Sequence, residues 1–273
     1  MKNRCRENKM VVKMGENLIT GIKGSIAVVS GGYQGIGKAV VDKLSSSGCK
    51  VYTIDPKFPS ETRNWSSSDS VIFYSGYTNH EEDVKEFYQY IASREDKIDF
   101  LVNNAGIYLY KSIEESSISE FNRLVETNLL GTFILTKYFL PLLKKSSHAS
   151  IVNVASVSGQ RTEEGHPIYS LTKGGILAFT KATAADFGKY KIRVNSVSPG
   201  NIITPMNDLD IEVQAKSKGK SFDEVEKEYS SESILKRRGT ADEVASVILF
   251  LLSSASSYVN GEDIIVDGGL YLV

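Results

Sequence analysis

Tyr169 and Lys173 stand four residues apart in the stretch SVSGQRTEEGHPIYSLTK, residues 156–173, so on a helix they share a face one turn apart. Ser156 lies upstream, where the apolar run Ile151-Val152-Asn153-Val154-Ala155 reads as a buried strand reaching its end. A strand-end hydroxyl, a phenol and an ammonium brought together can move a proton to or from a carbon-bound oxygen. Singly, each has a plainer explanation: a turn residue, a core aromatic, a solvated charge. The elements that position them decide between these readings.

Those elements alternate. Short apolar runs read as strands at Ser25–Val29, Lys50–Ile54, Val71–Tyr74, Asp99–Val102, Ile151, Ile192–Val197 and Asp263–Val266. Between them, amphipathic stretches predict helices at Gly35–Ser47, Glu81–Ser93, Ser119–Leu143 (broken or ended near Pro141), Tyr169 to about Gly188, and Ala241–Ser253. Residues 56–70 are Ser- and Pro-rich and read as loop. Such alternation implies a parallel sheet with helices on both faces, whose ligands bind beyond the carboxyl ends of the strands. The charged segment 201–234, with Lys216-Ser217-Lys218-Gly219-Lys220, is long for a connection and predicts a lid at that edge.

Composition excludes several functions. The 273 residues carry a net charge of −1, which gives no electrostatic case for nucleic acid or an anionic membrane. Cys5 and Cys49 cannot form a disulfide framework or a CxxC site, and His80, His148 and His166 do not cluster as metal ligands, so no metal is expected. No apolar run is long enough to span a bilayer. Residues 1–22 are basic and polar, lack the core of a secretory signal, and predict a flexible tail ahead of one domain at 23–273; Met10 and Met14 leave the start codon open. The expected compartment is the reducing cytoplasm.

Ser30-Gly31-Gly32-Tyr33-Gln34-Gly35-Ile36-Gly37 joins the first strand to the first helix, where glycines permit close backbone approach and a helix N-terminus offers free N–H groups to a pyrophosphate. With YSLTK, this G-x-x-x-G-x-G spacing resembles the classical short-chain dehydrogenase/reductase family. Asn103-Asn104-Ala105-Gly106 resembles its NNAG segment, Asn128 its helix asparagine, Pro199-Gly200-Asn201-Ile202-Ile203-Thr204 its nicotinamide-side segment, and Val266-Asp267-Gly268-Gly269 its C-terminal ending. The resemblance covers roughly residues 24–273. It implies a single-domain Rossmann-type, doubly wound parallel sheet of about seven strands, an oxidoreductase acting on CH–OH groups, and a catalytic tetrad of Asn128, Ser156, Tyr169 and Lys173. The implied cofactor contacts are Gly31, Gln34, Gly35, Ile36, Gly37, Asp55, Asn104, Ala105, Gly106, Tyr169, Lys173, Ile202 and Thr204.

Asp55 ends the second strand, eighteen residues beyond Gly37, where a carboxylate accepts from ribose hydroxyls and repels a 2′-phosphate. Together with Gln34, where NADP-preferring relatives often carry a basic residue, it predicts NAD, although Lys57 lies close by. The segment Tyr74-Ser75-Gly76-Tyr77-Thr78 lacks the carboxylate the family usually places against adenine, so backbone groups, Ser75 or another polar neighbour must hold that ring. The polar run Gln160 to His166 reads equally as a solvated rim or as a surface selecting a sugar, polyol or small hydroxy ketone. A 3-oxoacyl carrier-protein reductase using NADPH is the alternative, weakened because Ile134 and Tyr190 stand where that group carries arginines; a non-catalytic dinucleotide sensor is another. The family's usual homotetramer is the expected assembly, with Leu129, Phe133, Phe139 and the Leu270–Val273 end as compatible apolar surface.

Overall fold

The computed structural model describes residues 20–58, 70–162 and 164–272. Residues 1–19, most of the expected 56–70 loop, Glu163 and Val273 therefore lie outside the described residues. Strands β1 (Ile26–Ser30), β2 (Lys50–Ile54), β3 (Val71–Tyr74), β4 (Phe100–Asn103), β5 (Ser150–Val154), β6 (Arg193–Pro199) and, last in the chain, β9 (Asp263–Val266) form one sheet in the order β3-β2-β1-β4-β5-β6-β9. Every neighbouring pair is parallel. The strand order reverses between β1 and β4, and a crevice opens at their carboxyl ends because the connections leave in opposite directions there.

Residues alternate across β1: Ala27 and Val29 face one core, and Val28 the other. The first core is covered by α1 (Gly35–Ser46) and α8 (Ala241–Leu252) through Val40, Val41, Leu44, Val244 and Ile248. The second is covered by α2 (Glu81–Ala92), α4 (Gly131–Leu143) and α5 (Pro167–Phe187) through Val84, Phe87, Leu135, Phe139 and Phe187. Large side chains such as Phe87 and Phe139 are fully buried, and each contributes roughly 1.5–3 kcal/mol by leaving water. Ile22 is buried in the first core, so the chain has already docked there.

The long helix expected over 119–143 is α3 (Ile118–Val125), a π-helical turn over Glu126–Leu130, and α4. Its irregularity is thus the π turn rather than Pro141, which sits in the last turn and is followed by only Leu142 and Leu143 before the helix ends. The π turn carries Asn128 into the interior. Helix α5 starts at Pro167, two residues before Tyr169, since proline in a first turn gives up only an N–H that would be unpaired.

The 201–234 segment is a helical hairpin. Strand β7 (Ile202–Ile203) leads into α6 (Pro205–Lys218), which ends at Gly219 with φ +65°. Helix α7 (Phe222–Glu232) follows, and β8 (Gly239–Thr240) pairs in parallel with β7 and closes the base. Ile211, Ala215, Val225 and Tyr229 give the hairpin its own small core. The buried Arg238 donates to Asp208 of α6 at 2.6 Å and lies 3.9 Å from Glu226 of α7, tying both helices to the base. Among the described residues no helix is long and apolar enough to cross a membrane, and no cluster of three His, Cys, Asp or Glu side chains is set to hold a metal.

Candidate active site

One cavity of about 810 Å³ runs along the carboxyl ends of the strands. Ser156 reaches it from the end of β5, and Tyr169 and Lys173 from successive turns of α5. All three are buried. Lys173 Nζ donates to the Val154 carbonyl at 2.9 Å and lies 5.6 Å from the Tyr169 ring centre. Burial pushes the Tyr169 phenol up to about 12, opposed by a hydrogen bond from Ser156 and reinforced by the charge of Asp210. Burial also pushes the Lys173 ammonium down to about 8.

Asn128 does not line the cavity. Its Oδ1 accepts from the Ile107 backbone N–H at 2.8 Å, and its Nδ2 donates to the Ile107 carbonyl and to Thr172 Oγ1, both at 3.0 Å. It therefore pins the turn after β4 to α5 beside Lys173. Asp99 and Asn103 are braces: Asp99 Oδ2 accepts from Ile26 N at 3.0 Å, and Asn103 Nδ2 donates to Asn153 Oδ1 at 2.8 Å.

The other half of the cavity fits a dinucleotide. The first turn of α1 has no side-chain cap and no acidic residue, unlike α3, α7 and α8, which carry capping boxes. Its free N–H groups suit a pyrophosphate. Gly31 has φ +69°, a conformation glycine adopts without strain. Gly37 lies behind the turn rather than on the cavity, and a Cβ there would come within 2.0 Å of the Gly31 carbonyl oxygen. Asn104 Nδ2 donates to the Ser30 and Gly31 carbonyls at 3.0 and 3.1 Å, and Ser30 Oγ accepts from the N–H groups of Asn104 and Ala105. Gln34, Gly35, Ile36, Ala105, Gly106, Ile202 and Thr204 all line the same space.

Asp55 lies at the far end, its carboxylate accepting from the backbone N–H groups of Tyr33 at 3.3 Å and Lys57 at 2.9 Å. Lys57 Nζ donates to Gln34 Oε1 at 2.9 Å across the mouth. Beyond β3, Tyr77, Thr78 and Asn79 line the cavity, whereas Ser75 does not. Asp83 holds that turn by accepting from Tyr77 N at 2.7 Å.

The run Gln160–His166 divides. Gln160 donates to Asp263, away from the cavity; Arg161 Nη1 donates to the Leu270 carbonyl at 3.1 Å; Glu164 is exposed at the rim; His166 is buried inside. Sequence reasoning missed the groups that face it. Tyr108 packs its ring 4.9 Å from that of Tyr169, edge to face, and its hydroxyl lies 3.5 Å from His166 Nδ1. From the hairpin come Asp210, Gln214 and Tyr229, all buried and all on the cavity wall. The signal was a polar pair four residues apart, Asp210 and Gln214, beside Ile211 and Ala215 on one helical face.

A family model described as enoyl-(acyl carrier protein) reductase matches residues 31–271. The chain is 33% identical to the 3-oxoacyl-[acyl-carrier-protein] reductase of Aquifex aeolicus, covering 92% of this chain and 98% of that protein. It is 34% identical to the L-fucose dehydrogenase of Mus musculus, covering 93% and 91%. The ligand-free aldohexose dehydrogenase of Thermoplasma acidophilum superimposes with a TM-score of 0.86 at 28% identity, covering 93% of this chain and 97% of that one.

Proposed function

Since the chain belongs to the classical short-chain dehydrogenase/reductase family, enzymes that act on CH–OH groups with a nicotinamide dinucleotide, we propose that it interconverts a sugar, polyol or other secondary alcohol and the matching carbonyl with NAD. The observation that carries this reading is the convergence of the Ser156 hydroxyl, the Tyr169 phenol and the Lys173 ammonium on a cavity whose other half is an uncapped, glycine-lined helix N-terminus. NAD would lie with its pyrophosphate at residues 31–37, its ribose hydroxyls on Asp55, and its nicotinamide beside Ile202 and Thr204. When bound, it supplies the acceptor or donor of the hydride.

In this proposal Tyr169 takes the alcohol proton in oxidation and returns it in reduction, and Ser156 donates to the substrate oxygen as charge develops there. Lys173 favours the phenolate electrostatically. Asn128, its amide spent on Ile107 and Thr172, acts by positioning Lys173. The α6–α7 hairpin serves as the substrate lid. Burial of Asp55 beside the turn supports NAD, because a 2′-phosphate there meets a carboxylate.

Lys57, two residues beyond Asp55 and hydrogen-bonded to Gln34, favours the NADPH-using carrier-protein reductase reading, as does the similarity to the Aquifex aeolicus reductase. Assays with NAD and NADP against sugars, polyols and secondary alcohols separate the two. A higher kcat/KM with NADP overturns the assignment to Asp55, and full activity in Tyr169→Phe overturns the enzyme mechanism. We also propose a homotetramer built through the α3–α4 face and the β9 edge, where Phe121, Leu130 and Phe133 are exposed and every β9 residue is half-buried.

A further inference from the structure

We propose that Asp210, Gln214 and Tyr229 of the hairpin, with Tyr108, form a subsite for a second hydroxyl of the substrate, so that the enzyme selects compounds bearing a hydroxyl near the one that reacts. This rests on the dehydrogenase reading and goes beyond it by naming the groups that choose the substrate.

Asp210 is buried on the cavity wall, and among the described residues no lysine or arginine pairs with it. Neutral groups surround it instead. The Tyr229 hydroxyl donates to Oδ2, and Gln214 Nε2 lies 3.4 Å from both carboxylate oxygens and also donates to the Tyr229 hydroxyl. Tyr108 lines the same cavity, and burial, added to by the charge of Asp210, pushes its phenol up. A carboxylate taken out of water without a counter-ion is costly, and well-packed apolar residues would stabilise a helical hairpin better. Its position in the cavity therefore points to recognition rather than to folding.

The chemistry of the ring selects the ligand. A hydroxyl both donates and accepts, so it can donate to Asp210 while accepting from Tyr108 or Gln214. A hydrocarbon chain satisfies neither, and a substrate carboxylate is repelled. An ammonium would favour a carboxylate less engaged by neutral donors than this one. The subsite also adjoins the reacting centre, because the Tyr108 ring packs 4.9 Å from that of Tyr169. Sites built to bond a substrate hydroxyl reject the analogue lacking it far more strongly than apolar pockets reject a missing methylene, since the buried polar groups are left unpaired.

The test compares cyclohexanol with the cis-1,2- and cis-1,3-cyclohexanediols as substrates with NAD. The intact enzyme is expected to prefer at least one diol over cyclohexanol by about thirtyfold or more in kcat/KM. Asp210→Asn and Tyr229→Phe are each expected to lower that ratio by about tenfold or more, each variant's own cyclohexanol rate being the reference. Tyr229→Phe removes a single oxygen, so it reports even if Asp210→Asn folds poorly. The negative charge of Asp210 also faces Tyr169, and Lys173, Tyr108, Tyr110, Tyr229 and His166 are the other titratable groups around the two. Asp210→Asn therefore moves the rise of cyclohexanol oxidation with pH to lower pH, which a packing defect alone would not do.

Diols no better than cyclohexanol, or a preference that survives in both variants, overturn the subsite while leaving the dehydrogenase reading intact. A 2-aminocyclohexanol preferred over both diols also overturns it, making Asp210 an ammonium site. Turnover of none of these alcohols removes the underlying reading and the subsite with it.

Discussion

At Tyr169, burial keeps the phenol protonated at neutral pH, with its pKa pushed up to about 12. The neutral phenol is the form that gives a proton to a carbonyl, and the phenolate is the form that takes one from an alcohol. Oxidation is therefore expected to climb as pH rises from about 6 to about 10, while carbonyl reduction, which uses the neutral phenol, holds level over that range; steady-state rates in both directions check this. Lys173 makes a separate prediction. Its ammonium is buried, and its pKa is lowered from 10.5 to about 8, so below about pH 8 the folded protein holds a charge that the unfolded chain solvates more favourably. Lys173→Met is expected to raise the stability of the cofactor-free protein by roughly 1–3 kcal/mol at neutral pH while abolishing turnover. That gain should fade between about 8 and 10.5, as the folded lysine becomes neutral ahead of the unfolded one, and denaturant melts across this range measure it.

At the scale of elements, the β1–α1 turn is the tightest constraint. Gly37→Ala puts a methyl group 2.0 Å from the Gly31 carbonyl oxygen, and the atoms in the way are backbone, so the turn itself must move. The expected result is a loss of roughly 1–3 kcal/mol in stability, with NAD affinity weakened more than tenfold, by melting and by fluorescence titration with NADH. The glycine spacing was legible in the sequence because a turn is a local matter. The π turn at 126–130 was not. It depends on Asn128 finding Ile107 and Thr172, which lie in other parts of the chain.

Over the whole molecule, the apolar stripe read from the sequence as Leu129, Phe133 and Phe139 separates. Phe139 is fully buried in the second core and is unavailable to a partner, whereas Phe133 is 49% exposed. Six residues turn a helix by about 240°, so the two rings cannot share a face. The apolar surface exposed along α3, the π turn and α4 is instead Ile118, Phe121, Leu130 and Phe133. If this face builds the proposed tetramer, Phe133→Glu is expected to yield dimers or monomers at micromolar concentration in sedimentation velocity, and a tetramer of unchanged mass in that variant rules this face out.

Sequence alone determined the strands at 50–54, 71–74 and 263–266, the glycine turn, and the pairing of Tyr169 with Lys173, because each follows from short-range periodicity or spacing. It also grouped Ser156 with them, through the end of a strand. Tertiary structure decided what those residues meet. Only packing showed that Gln160 turns away to Asp263, that His166 turns inward, and that Asp210, Gln214 and Tyr229 line one cavity with Tyr108. Periodicity tells which face of a helix is buried, but the partner of a buried polar group comes from a distant part of the chain, and only the folded molecule brings the two together.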